Sequence, residues 1–136
     1  VIADVPGLIV GASQGKGLGI DFLKHLERTR ILVHIIEVTP QIEGAMTERD
    51  PIEDFKRLNQ ELANFSESLS KKPQIVVLNK MDLDFVSERF EELRAYIKEE
   101  GFPFFAISCA SRAGIKELHD FLGQVVLNPE EEDDWA

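Results

Sequence analysis

The chain has 136 residues, 43% of them hydrophobic, and carries 25 acidic against 15 basic side chains for a net charge of −10. That length holds at most one domain, large enough for a packed core; the composition excludes a disordered chain, and the acidic balance excludes tight binding to a nucleic-acid backbone by this chain alone. No apolar stretch reaches the roughly 18 residues of a membrane span, and the single cysteine, Cys109, excludes an internal disulfide and fits a reducing cytoplasm.

Strand and helix patterns then alternate along the chain. Val1-Ile2-Ala3-Asp4-Val5 reads as the second half of a strand already under way, so the chain is expected to be a piece of a longer protein, cut inside a domain. Leu18, Phe22, Leu23 and Leu26 fall at helical spacing, and Arg28 and Arg30 suit a helix C-terminus. Residues 31–38 form a near-continuous apolar run, the pattern of a strand buried on both faces. Asp50-Pro51-Ile52-Glu53 is a helix start, with Asp as N-cap, Pro at the first helical position and Glu reaching back from the third. Phe55, Leu58, Leu62, Phe65 and Leu69 continue one apolar stripe until Pro73 blocks further helix. A strand over 74–78 follows, then a helix from about 87 to 100 with Phe90, Leu93 and Ile97 inward and Gly101 as its C-terminal glycine. Residues 104–107 predict another strand, and Ile115, Leu118, Phe121, Leu122 and Val125 a last helix. The alternation implies an α/β fold, a parallel sheet with helices on both faces. It should occupy residues 1–127, with 128–136 an acidic tail or linker.

Three short segments carry chemistry. Asn79-Lys80-Met81-Asp82 directly follows the strand at 74–78, at the sheet edge where α/β folds bind ligands. The Asp82 carboxylate could accept two parallel hydrogen bonds from the N1–H and 2-amino group of guanine, a donor pair adenine lacks. Asn79 could donate to N7 and tie neighbouring loops together, and the Lys80 stem could cover one face of the base. Asp4-Val5-Pro6-Gly7 is the second segment. Its carboxylate could hold Mg2+ through water while the glycine amide approaches a terminal phosphate unhindered by a Cβ. With two fixed positions this pattern arises by chance in about half of chains this long, so its weight comes from the tetrad. Ser108-Cys109-Ala110, one strand–helix unit after the tetrad, is the third; a backbone N–H at Cys109 or Ala110 could meet guanine O6, an acceptor where adenine carries a donor. Gly15-Lys16-Gly17 is not a phosphate-binding P-loop, because Val10 and Gly17 stand where Gly and Ser or Thr are required. His25, His34 and His119 have no metal-binding spacing.

The run from Gly7 to Gly19, Gly-Leu-Ile-Val-Gly-Ala-Ser-Gln-Gly-Lys-Gly-Leu-Gly, and the segment from Phe22 to Arg30 closely resemble the stretch after the phosphate-sensing motif in Obg-family GTPases. Asp50 to Phe55 resembles that family's next helix start, and the likeness extends to about Leu127. It implies a partial Ras-like P-loop GTPase domain, lacking the P-loop and switch I. By position, Asp4 and Gly7 match the Mg2+ and terminal-phosphate motif, Asn79, Lys80 and Asp82 the guanine tetrad, and Ser108, Cys109 and Ala110 the second base-contacting loop. Cys109 stands where the family more often has Ala, and Val10 where it usually has Glu. Leu8 stands where Ras-like enzymes carry the glutamine that orients the attacking water, so no catalytic residue is identified and intrinsic hydrolysis should be slow. The glycines at 11, 15, 17 and 19 suit a segment that orders when the terminal phosphate is present.

The resemblance further implies GTP and GDP as ligands, the large ribosomal subunit as partner, and a cytoplasmic switch acting in subunit assembly and in growth or stress control. A nucleotide-responsive ribosome-binding module with incidental hydrolysis is the alternative from a different class. The 136-residue chain by itself should be inactive.

Overall fold

A computed structural model describes residues 19–38 and 50–127. Three parallel strands, β1 (Leu32–Ile36), β2 (Gln74–Leu78) and β3 (Phe104–Ala106), form one sheet in the order β1-β2-β3. Among the described residues six helices accompany them: α1 (Gly19–Glu27), α2 (Pro51–Phe65), α3 (Glu67–Ser70), α4 (Asp84–Ser87), α5 (Phe90–Glu99) and α6 (Ile115–Leu127). The expected α/β architecture, with helices on both faces of a parallel sheet, is the one found.

All five residues of the central strand β2 are buried, and their alternation sorts the helices. Val76 and Leu78 face Phe55 of α2, Val86 of α4, and Leu93 and Ile97 of α5. Ile75 and Val77 face the opposite way, onto Ile115, Leu118, Phe121 and Leu122 of α6. A third cluster joins Leu23 and Leu26 of α1 to Leu32, Leu62 and Leu69.

Local chemistry explains most element ends. Asp50 Oδ1 accepts from the Ile52 N–H at 3.0 Å, and Pro51 opens α2 as expected. Glu53 does not complete the expected capping pair; it lies 3.8 Å from Lys56. After α5, Gly101 takes φ +89°, and the Gly101 and Phe102 amides donate to Lys98 O and Ile97 O, the pairing of a Schellman cap.

Three expectations are corrected. The apolar stripe from Phe55 to Leu69 is two helices, because Ser66 turns extended and its hydroxyl accepts from the Leu69 N–H at 3.1 Å, starting α3 afresh. The helix expected over about 87–100 is α5, which starts only at Phe90, and the separate short helix α4 before it was not expected. Arg89 holds that corner, its guanidinium meeting Glu92 at 2.9 Å and Asp50 at 3.9 Å. The run at 31–38 is a shorter strand, and it is not buried on both faces: Val33 is 43% and Ile35 60% exposed. Register sets Val33 beside Ile75 and Ile35 beside Val77, so both belong to the α6 face, but neither joins the cluster that α6 forms with Ile75, Val77 and Phe105.

On the other face, His34 stacks on Phe55 with ring centroids 5.5 Å apart. Gln74, also buried, donates to Asn59 at 3.0 Å, leaving Gln74 Oε1 and His34 Nδ1 without partners among the described residues. Burial lowers the His34 pKa from 6.5 to about 4, although Gln74 and the Asp54 carboxylate favour the charged ring. The folded state therefore keeps the ring neutral while the unfolded chain protonates near 6.5. Stability from this residue is complete above pH 6.5, falls as pH drops toward 4 and is constant below that. The loss is expected to be at most about 3 kcal/mol. Urea unfolding across this range should show it, and His34→Leu should flatten that part of the profile.

Candidate functional site

The carboxyl ends of β2 and β3 lie side by side, with the Ile107 N–H donating to Leu78 O at 2.8 Å. The chain therefore delivers the tetrad and the Ser108-Cys109-Ala110 loop to one rim. Asn79 Oδ1 accepts from the Lys80 N–H at 2.7 Å and from the Cys109 N–H at 3.2 Å, joining the two loops across 30 residues of sequence. This leaves the Asn79 Nδ2 donor unpaired among the described residues. Lys80 takes φ +67°, a left-handed conformation that non-glycine residues adopt at a cost and that recurs at functional sites. Its side chain is exposed, while Met81 turns inward against the α4–α5 core and anchors the turn there. The Met81 N–H is fixed to Ile107 O at 3.1 Å, a further tie between the loops.

Asp82 is exposed, but it is oriented. The Ser108 hydroxyl, in a residue only 1% exposed, donates to Asp82 Oδ1 at 2.8 Å. The same hydroxyl oxygen accepts from the Ser111 N–H at 3.1 Å, so its proton has one direction to go. Asp82 Oδ2 takes no hydrogen bond from the described residues. The carboxylate thus keeps accepting capacity on the outer side of the rim, where a pair of N–H donors could meet it. Because Cys109 N–H is spent on Asn79, Ala110 N–H is the main-chain donor of the Ser108-Cys109-Ala110 segment with no partner among the described residues.

A second turn holds the loop from behind. Ser108 N–H donates to Ala113 O at 2.9 Å, Arg112 takes φ +67°, and Gly114 takes φ +74°. A Cβ at Gly114 would lie 2.3 Å from Ala106 O and 3.2 Å from Ile107 Cγ2, so only glycine lets α6 begin this close to the end of β3.

Sequence reasoning assigned the Ser108 loop a backbone donor and missed two things. One is the hydroxyl that aims Asp82, a contact spanning 26 residues that no local spacing encodes. The other is Gly114, for which a glycine just before a helical pattern was the available signal. Asp4, Val5, Pro6 and Gly7 lie outside the described residues, as do Leu8, Val10, the glycines at 11, 15 and 17, and residues 128–136. Among the described residues, no three His, Cys, Asp or Glu side chains gather as metal ligands, and no helix is long and apolar enough to cross a membrane.

Residues 1–80 match the family described as "50S ribosome-binding GTPase". The chain is similar to GTPase Obg of Clostridium tetani, 53% identical over 119 residues, which is 87% of this chain and 27% of that protein. It is 46% identical to GTPase Obg of Fusobacterium nucleatum over 98% of this chain and 31% of that protein. GTPase Obg of Clostridioides difficile is 43% identical over 96% of this chain and 30% of that protein. The chain therefore spans less than a third of the length of these relatives.

Proposed function

The chain belongs to the Obg-type members of the 50S ribosome-binding GTPase family, and on that premise we propose that it is the guanine-reading part of a GTP-binding and GTP-hydrolysing switch protein. The observation that carries this reading is the Ser108-oriented Asp82 carboxylate beside an Asn79 that joins both loops. Asp82 accepts from N1–H and the 2-amino group of the base, Ala110 N–H meets O6, Asn79 Nδ2 meets N7, and the Lys80 stem covers the ring.

The phosphate end rests on Asp4 and Gly7. By the resemblance, Mg2+ would be held by Asp4 through water and by the nucleotide phosphates. When bound, it supplies charge neutralisation at the phosphoryl group. Water attacks that group in line, and Leu8 leaves its placement to a group other than the usual glutamine. The bare α6-side face at Val33 and Ile35 supports a further strand and helix beside β1 in the parent protein, where the Ras-like strand order sets the P-loop. The parent acts in the cytoplasm on the large ribosomal subunit, in its assembly and in growth or stress control. A second reading, a nucleotide-responsive ribosome-binding module with incidental hydrolysis, is favoured by Leu8.

Single-turnover GTP hydrolysis by the parent, with and without large ribosomal subunits, tests the proposal. The expected result is slow hydrolysis alone and acceleration by subunits, with ATP inert and the 136-residue chain inactive. GTP-dependent subunit binding without hydrolysis would favour the second reading. Neither binding nor turnover would contradict both.

A further inference from the structure

Charge is unevenly spread over this acidic chain. Residues 24–30 and 71–72 hold five of its 15 basic side chains, Lys24, Arg28, Arg30, Lys71 and Lys72, and one of its 25 acidic ones, Glu27. The two segments are far apart in sequence, and the fold brings them together. Lys72 Nζ donates to Glu27 O at 3.0 Å and to Thr29 O, and Pro73 O accepts from the Leu32 N–H at 2.9 Å. The ends of α1 and α3 therefore meet at the amino edge of the sheet, beside the starts of β1 and β2.

Lys72 is half-buried and spent on those carbonyls, so it builds the surface that the other four cations present. Lys24, Arg28, Arg30 and Lys71 are all exposed. Cations often end helices because they oppose the negative end of the dipole. Here Lys72 and the Thr29 hydroxyl, which donates to Leu26 O at 2.7 Å, already serve the carbonyls at the end of α1. Lys71 pairs with Glu67 at 2.7 Å, but the two side chains are 72% and 80% exposed, and so open a pair yields to another anion at little cost. The leucines underneath, Leu23, Leu26 and Leu69, are buried in the core. The surface thus offers charge without the apolar centre on which protein–protein interfaces are built.

We propose that this basic end is a docking surface for an RNA phosphate backbone and, resting on the functional reading above for its partner, that it is the face the parent turns toward the RNA of the large ribosomal subunit. A net charge of −10 forbids tight binding of the whole chain to a polyanion. The same imbalance makes a few contacts directional, because the acidic bulk is repelled while the basic end is drawn in. The five residues of β2 set this end about 17 Å from the guanine rim, so RNA and nucleotide can be held together.

Two triple variants of the parent separate a local surface from overall charge. Lys24→Gln, Arg28→Gln and Lys71→Gln neutralise the basic end, while Arg94→Gln, Lys98→Gln and Lys116→Gln remove as many exposed cations from α5 and α6. Each is titrated over a range of salt with a fluorescein-labelled RNA duplex, with large ribosomal subunits and with polyglutamate, and with GDP to check the nucleotide site. The first triple should weaken binding to the duplex and to the subunits about thirtyfold near about 0.1 M salt, and lower the slope of log affinity on log salt by about 2 to 3. The second should weaken either by less than about threefold, and GDP affinity should be the same in wild type and both variants. Equal losses in the two triples, or no loss on the duplex in the first, would overturn the proposal. So would loss of polyglutamate binding with RNA binding unchanged, which would assign the surface to an acidic protein. A parent that binds the duplex through this end but binds no guanine nucleotide would instead overturn the functional reading and leave the RNA surface standing.

Discussion

Asp82→Asn in the parent protein is expected to reverse its base preference, from guanine to xanthine nucleotides. Guanine offers two donors on this edge, N1–H and the 2-amino group, and a carboxylate accepts both. An asparagine keeps one acceptor and introduces a donor, which leaves the 2-amino group facing an N–H. Xanthine carries a carbonyl at that position, so the same asparagine accepts from its N1–H and donates to its oxygen. The Ser108 hydroxyl, 2.8 Å from Oδ1, can still donate to an amide oxygen there, so the side chain should keep its orientation. A site built around hydrogen bonds discriminates by about 10⁴ or more against a base that cannot make them. Loss of GDP affinity by about that factor, with a gain for xanthosine diphosphate, is the expected outcome of equilibrium titration. Asp82→Ala should lose the preference for GTP altogether and gain nothing in return. An Asp82→Ala protein with unchanged selectivity would remove this residue from the pocket.

The second large effect is expected from a residue that touches no ligand. Gly114→Ala would set a methyl 2.3 Å from Ala106 O, a backbone atom of β3 that cannot rotate away. It would also impose a side chain on a φ of +74°, which alone costs on the order of 1–2 kcal/mol. Relief requires the 108–113 loop or the start of α6 to shift. Either shift breaks the Ser108 N–H bond to Ala113 O and misplaces the hydroxyl that aims Asp82. Stability should fall by roughly 3 kcal/mol or more, and guanine affinity should fall further than unfolding alone explains. Calorimetry of unfolding together with GDP titration on the folded fraction separates the two losses. Gly123, where an added Cβ meets nothing within 4 Å, is the control: Gly123→Ala in α6 should be neutral or slightly stabilising.

What the sequence revealed follows from how local each determinant is. Strand β2 was legible because Pro73 and the polar tetrad bracket five residues that all become buried. The start of α2 was legible because Asp50 and Pro51 act within one turn. The break at Ser66 was not, since the apolar stripe passes through it and the choice was made by a hydroxyl cap; the short helix α4 was not either, because four residues are too few to show a stripe. The exposure of Val33 and Ile35 could not be read either; apolarity predicts a wish for burial and does not say whether a helix is present to supply it. At the site, the residue types of the tetrad and the loop pointed to guanine. The hydroxyl that fixes Asp82 depends on two strand ends meeting, and only the fold states that. The phosphate motif from Asp4 to Gly7 remains a proposal from sequence and resemblance.

The central claim is that the ends of β2 and β3 together read a guanine base, and the most direct measurement is the amide resonance of Ala110 in the parent protein during titration with GDP and with ADP. A large shift that saturates with GDP binding and is absent with ADP is expected, because guanine O6 accepts from this N–H and the adenine amino group cannot. An Ala110 amide that does not respond to bound GDP, or responds equally to ADP, would contradict the assignment of this rim.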